Sequence, residues 1–202
     1  VEVVDRFPDL HDWDDLWIDA ARQQVDFNGG TLLFAETPAM TLIDVDGGPD
    51  RAIWFNAIPV LARALQRFDL GGNIGIDFPT VRDKGDRKSL DARLGECLRG
   101  WPHERTAMNG FGFVQIVARL ERPSLLHRIA RDRAGAAARW LLRRAEAVPL
   151  PGAILLGCHP QVASALRPGW LEELGRRTGR EVRVASDPCL ALEAGFAQSI
   201  AR

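Results

Sequence analysis

Two short segments constrain this chain more than anything else in it. Residues 40–46 (MTLIDVD) alternate apolar and polar positions and run into Gly47-Gly48-Pro49, and residues 73–78 (NIGIDF) do the same and stop at Pro79. Period-two alternation marks a half-buried strand, and Gly/Pro clusters close such runs. Between them, residues 53–68 (IWFNAIPVLARALQRF) read as a helix ended by Asp69-Leu70-Gly71-Gly72, with Pro59 expected to mark where the helix truly starts. Strand, helix, strand in that order is a βαβ unit, whose strands are parallel and whose crossover is right-handed.

Side chains alternate faces along a strand. Ile43 and Val45 point one way while Leu42, Asp44 and Asp46 point the other; Ile74, Ile76 and Phe78 oppose Asn73, Gly75 and Asp77. Parallel strands end at the same sheet edge, about 4.8 Å apart if they are neighbours, and open α/β sheets bind ligands beyond that edge. Two facing acids repel and are costly to desolvate. A hard divalent cation resolves the conflict, and few oxygen ligands with retained waters are a Mg2+ pattern, in which Mn2+ can substitute. Such an ion orients a phosphodiester and polarises a water. The plainer reading, in which Asp44, Asp46 and Asp77 cap loops as Asp before Gly or Pro often does, stays open on pattern alone.

The flanks complete an α/β reading with a mixed sheet. Residues 10–24 predict a helix, with Leu10, Trp13, Leu16 or Trp17, and Ala20 on one face. VDF–NGG–TLLFAE predicts a hairpin about Asn28-Gly29-Gly30. A helix over about 86–99, extended runs at 105–109 and 111–120, and one long helix from Pro123-Ser124 to about Glu146 follow. Val148-Pro149-Leu150-Pro151 reads as a stiff linker, dividing a catalytic domain (1–147) from a small α/β domain (148–202). The small domain holds an extended run at 153–157, a helical stretch around 161–177, and extended runs at 180–186 and near 190–200.

Charge and cysteines narrow the function classes. Eight Arg against Glu121 and Asp132 give residues 119–144 a local +6, leaving −7 elsewhere in a chain of net −1, so a bound polyanion is expected near that segment. Cys97, Cys158 and Cys189 have no paired spacing, which supports neither a disulfide framework nor a zinc knuckle and points to a reducing, cytoplasmic setting. No apolar run approaches the roughly 20 residues of a membrane span. No Ser-His-Asp or Cys-His grouping supports nucleophilic catalysis.

The ordered set LIDVDGG, Phe55-Asn56, DLGGNIGIDF and MNGFGFVQIVARLERPSL resembles the catalytic domain of the ribonuclease E/G family, from about Gln24 to Ser124. VPLPGAILL and REVRVASDP resemble that family's small dimer-forming domain. The resemblance implies a Mg2+-dependent endoribonuclease that cleaves single-stranded RNA in processing or decay, leaving a 5′-phosphate and a 3′-hydroxyl. It implies that Asp44 and Asp77 hold the metal, and that Asp46, where the family usually has Asn, contributes to the site. It also implies a possible homodimer through the small domain. The chain departs from the family in three places. Leu125 to Ala136 contains no Cys, so the family's CPxC zinc-link and its zinc are not expected. The S1-type and 5′-end-sensing modules are not in this sequence. Gln115 and Ala118 stand where an acid and an Arg usually follow the Phe-Gly, with Arg119 one residue later.

Arg119 and Asn109 are expected to steady the phosphate. Arg128 and Arg131 form, with Arg139 and Arg143, a basic stripe on the long helix that is either a solvated face or a track for RNA phosphates. Phe111 and Phe113 read either as core residues or as stacking partners for bases. Asn56 reads as a helix-start cap. The alternatives to a nuclease are a catalytically weak RNA-binding or assembly protein with the same fold, and a small-molecule enzyme, which would need a deep pocket beside the acids.

Overall fold

Local sequence signals account for most of the elements in the computed structural model, which describes residues 10–48, 50–149 and 151–201. The first helix is α1 (Leu10–Arg22), followed by a hairpin of β1 (Gln24–Phe27) and β2 (Gly30–Glu36). The two acid-bearing runs are β3 (Thr41–Gly47) and β4 (Gly72–Asp77), joined by α2 (Arg51–Arg67). Then come α3 (Lys84–Cys97), β5 (His103–Arg105), β6 (Phe113–Ala118), α4 (Leu125–Arg131) and α5 (Arg133–Glu146). The chain continues with β7 (Ala153–Cys158), α6 (Pro160–Ala165), α7 (Pro168–Thr178), β8 (Val182–Ser186) and β9 (Phe196–Ile200). The expected α/β class with a mixed sheet and a βαβ unit is what the chain adopts.

Two compact units divide the chain, Val1–His127 and Arg128–Arg202. In the first, six strands run in the order β1-β2-β3-β4-β6-β5, and only β3 and β4 are parallel. Leu32, Phe34, Ile43, Val45, Ile74, Ile76, Val114 and Ile116 are buried on one sheet face. Helix α2 packs against β1, β2 and β3 and buries Trp54, Ala57, Ile58, Leu61 and Leu65. In the second unit three strands run β8-β7-β9, with β7 parallel to β8 and antiparallel to β9, and α5 packs on this sheet. The division therefore falls before α5, not at the 148–151 segment that composition suggested; Leu150 of that segment lies outside the described residues, as does the side chain of Leu10.

Three expectations are corrected. Helix α2 starts at Arg51, where the Asp50 side chain accepts the Ala52 N–H, and Pro59 sits inside it. An interior proline costs about 3 kcal/mol, but each large apolar side chain buried on that helix returns about 1.5–3 kcal/mol, so the sheet-facing residues carry the helix through. Asn56 is accordingly no cap: it lies within the helix and its Nδ2 donates to the Asn28 carbonyl at 3.4 Å. The long helix from Ser124 is two helices. Asp132 (φ −144°, ψ 65°) interrupts it and caps α5 by accepting the Gly135 N–H, so the expected continuous arginine stripe is broken between Arg131 and Arg139. Of the run 105–109, only Arg105 is in a strand; residues 106–110 form a loop.

Candidate functional site

Asp44 and Asp77 are register partners on the one parallel strand pair of the larger sheet. Both are exposed, while Ile43 and Ile76, the adjacent register pair, are fully buried on the other face. The core thus fixes which way the carboxylates point. Asp46 is two residues beyond Asp44 on the same face and is exposed as well. On the neighbouring strands, Leu33 faces Asp44, Thr31 faces Asp46 and Phe113 faces Asp77.

The carboxylates of Asp44, Asp46 and Asp77 make no hydrogen bond or ion pair among the described residues, so none acts as a loop cap. The capping at this edge is done by Asp50, and by Asp83, whose side chain accepts the Asp86 N–H at 2.8 Å to start α3. Nearby Asp26 is different: Gln24 Nε2 and Thr31 Oγ1 donate to it, and those bonds hold its pKa below the usual carboxylate value. The Asp44 pKa is raised, first by partial burial and then by the charges of Asp77 and Asp46. Among the described residues no group of three or more His, Cys, Asp or Glu side chains converges as a complete metal cage. Two carboxylates with the remaining positions left to water and substrate oxygens is still a donor set that suits Mg2+, which binds through few protein ligands.

The surroundings of this edge are built by chain segments that all turn there. Both α2 and α3 begin just after the strands, so their positive N-terminal ends lie on the same side. Arg51 and Asp86 join the two helix starts at 3.0 Å. The β1–β2 turn reaches the same edge, since Gly30 pairs with Gly47. On the other flank, residues 109–112 form a tight loop. Asn109 Oδ1 accepts the N–H groups of Phe111 and Phe113, and Gly112 donates to the Asn109 carbonyl. The Phe78 N–H donates to the Gly112 carbonyl at 3.3 Å, stapling the loop to the chain leaving Asp77. Gly112 has φ +96°, and a Cβ there would lie 2.5 Å from the Phe78 carbonyl oxygen, so only glycine fits.

The structure separates the other expected site residues. Asn109 is at the acidic edge, where its side-chain oxygen is committed to the loop. Arg119 is not near it: β6 runs antiparallel to β4, with Phe113 beside Asp77 and Ala118 beside Gly72. That places Arg119 at the opposite end of the sheet, 84% exposed in its side chain and 3.5 Å from Glu121. Arg128 and Arg131 are exposed and belong to the second unit.

One feature went unread in the sequence. Arg82, Lys84 and Lys88 are exposed cations on the loop and helix that directly follow β4, and none is ion-paired among the described residues. The signal was their position, just after the Asp77 strand. Phe111 is 78% exposed, whereas Phe113 folds down over Gly75, whose Cβ, if present, would meet its ring at 2.6 Å. Two sizeable hollows lie elsewhere in the first unit. One of about 660 Å³ is lined by residues including Trp13, Asp19, Arg63 and Arg67; another of about 440 Å³ is lined by Gly71, Gly72, Arg122 and His127 among others. Asp44 and Asp77, both exposed, line neither of these two hollows.

Fold and site together define a mixed-sheet α/β domain with an open acidic strand-end edge. Over 133 residues the chain is 29% identical to ribonuclease G of Salmonella typhimurium (strain SL1344), covering 59% of this chain and 27% of that protein. It is 30% identical over 113 residues to ribonuclease G of Escherichia coli K12 and of Shigella flexneri, covering 50% of this chain and 23% of theirs. The matched part thus spans about a quarter of the length of these relatives. No protein-family model matches the chain. No described helix is long and apolar enough to cross a membrane.

Proposed function

We propose that the chain is the catalytic part of a Mg2+-dependent endoribonuclease acting on single-stranded RNA, with Asp44 and Asp77 holding the cation and Asp46 tuning the site. One observation carries this reading: two unengaged carboxylates stand in register on adjacent parallel strands, and the pKa of Asp44 is raised first by partial burial and then by the charge of Asp77. The similarity to ribonuclease G supplies the substrate class. When bound, the cation would supply Lewis acidity toward the phosphodiester and a water. The chain's own residues then have distinct tasks. Asp44 and Asp77 concentrate negative charge that only a cation offsets, which selects for a metal-accompanied phosphate over a bare one. The N-terminal ends of α2 and α3, with Arg82 and Lys84, favour the anionic backbone beside the acids. The open surface admits a flexible strand, as single-strand readers require.

Hydrolysis adds water across a P–O bond, leaving a 3′-hydroxyl and a 5′-phosphate. The test is incubation of the full-length protein with 5′-labelled single-stranded RNA, with and without Mg2+. Cleavage that needs the ion and disappears in Asp44→Asn and Asp77→Asn, both with native circular dichroism, is the expected result. Undiminished cleavage in either variant refutes the assignment. Gln115, half-buried and facing Gly75 where the resemblance to the ribonuclease E/G family implies an acid, favours a second reading in which the fold binds RNA with little turnover. RNA binding without cleavage by wild-type protein would select it.

A further inference from the structure

We infer that Phe111 is a stacking platform for a nucleobase of the single strand, next to the phosphate handled by Asp44 and Asp77. This inference rests on the nuclease reading above. A lone exposed apolar residue means nothing in itself; here its placement gives it meaning. Phe111 is two residues from Phe113, the cross-strand partner of Asp77, so its backbone lies within about 12 Å of the aspartate's.

The loop carrying it is fixed at both ends. Asp91 Oδ1 takes the Met108 N–H at 3.1 Å and the Arg105 guanidinium at 2.5 Å, holding the entry. Asn109 Oδ1 holds the Phe111 N–H itself at 2.8 Å, and the close approach of Gly112 to Phe78 holds the exit. The backbone under the ring is therefore ordered before any ligand arrives, which removes an entropic cost of binding. The neighbouring ring of Phe113 is folded onto Gly75 and Leu42, covering the sheet below. Phe111 is the aromatic ring of this loop that is left outward.

The occupant must tolerate a charged setting. Asp44, Asp46 and Asp77 lie on one side and the cationic run Arg82–Lys88 follows β4, so an apolar protein surface would be poorly served here. A nucleobase, a flat π-face tethered to a phosphate, fits both the ring and the charges, and base–aromatic stacking is indifferent to base identity. The platform would accordingly add affinity without imposing a sequence.

The test uses full-length protein and a fluorescein-labelled 12-mer oligoadenylate RNA. Binding is followed by anisotropy in Ca2+ buffer and cleavage in Mg2+. Phe111→Ala should weaken binding about 5- to 150-fold, the range for loss of one stacked base, and Phe111→Trp should restore it with tryptophan quenching on binding. A set of 12-mers, each carrying one abasic ribose, locates the stacked base. At that position the abasic penalty should be large for wild type and absent for Phe111→Ala. Equal affinity of Phe111→Ala and wild type, or equal abasic penalties in both at every position, overturns the proposal. If wild type cleaves in an Asp77-dependent way while Phe111→Ala is unaffected, the platform alone fails. If wild type neither binds nor cleaves RNA, the nuclease reading fails with it.

Discussion

Replacing Asp44 by Asn removes one of two facing carboxylates at nearly constant volume, and the sign of the effect on stability is diagnostic. Point substitutions typically destabilise by about 1 kcal/mol. Here the register of Asp44 with Asp77 sets two like charges about 5 Å apart. Their repulsion is about 0.8 kcal/mol at the dielectric of water and about 3 kcal/mol at the effective dielectric near a protein surface. Both side chains are exposed, so relief of about 1 kcal/mol is expected, a rise in Tm of roughly 2–4 °C for a chain of this size. Scanning calorimetry in EDTA at neutral pH should show that rise. The folded-state pKa of Asp44 is raised, so its ionisation penalises the folded state above that pKa. The advantage of the variant should therefore shrink as pH falls through the raised value and vanish below about 3.9, where Asp44 is protonated folded and unfolded alike. Mg2+ at a hundredfold excess over Kd should stabilise wild type by about 2.7 kcal/mol and the variant by much less. A lower Tm for Asp44→Asn in EDTA, or equal Mg2+ stabilisation of both proteins, would refute the idea of a strained pair awaiting a cation.

Gly112→Ala forces a side chain into a left-handed backbone beside the Phe78 carbonyl, and should cost roughly 1–3 kcal/mol in urea unfolding; an unchanged midpoint would show that the loop is not held as described. In salt titrations of RNA affinity, Arg82→Ala and Lys84→Ala should each lower the log–log slope by about 0.7, whereas Arg119→Ala should leave slope and affinity unchanged. The opposite ranking would put the RNA at the far end of the sheet.

The acid pair was legible in the sequence because everything that sets it is local: period-two alternation in 40–46 and 73–78, and one intervening helix that forces the strands parallel. The helix boundaries were less legible. Pro59 looks like a start, but its cost is offset by burial of Ile58, Leu61 and Leu65, a tertiary gain that no local propensity records. Asp132 sits in a run rich in helix formers and breaks it by capping the next helix instead. Arg119 was misplaced because the direction of β6 relative to β4 is a pairing fact, decided by which strand edge is free. Phe111 looked like half of an alternating Phe pair; the positive φ of Gly112 ends that alternation and turns the ring outward.

The parallel pair of β3 and β4 has a consequence for how this edge can change over time. A slip of one residue between the two strands would carry Ile43 and Val45, or Ile74 and Ile76, out of the interior and into water. The alignment of the two acids is therefore maintained by selection for folding itself. Substitution can erase either charge, but a one-residue slip of the strands cannot move one away from the other without exposing the core.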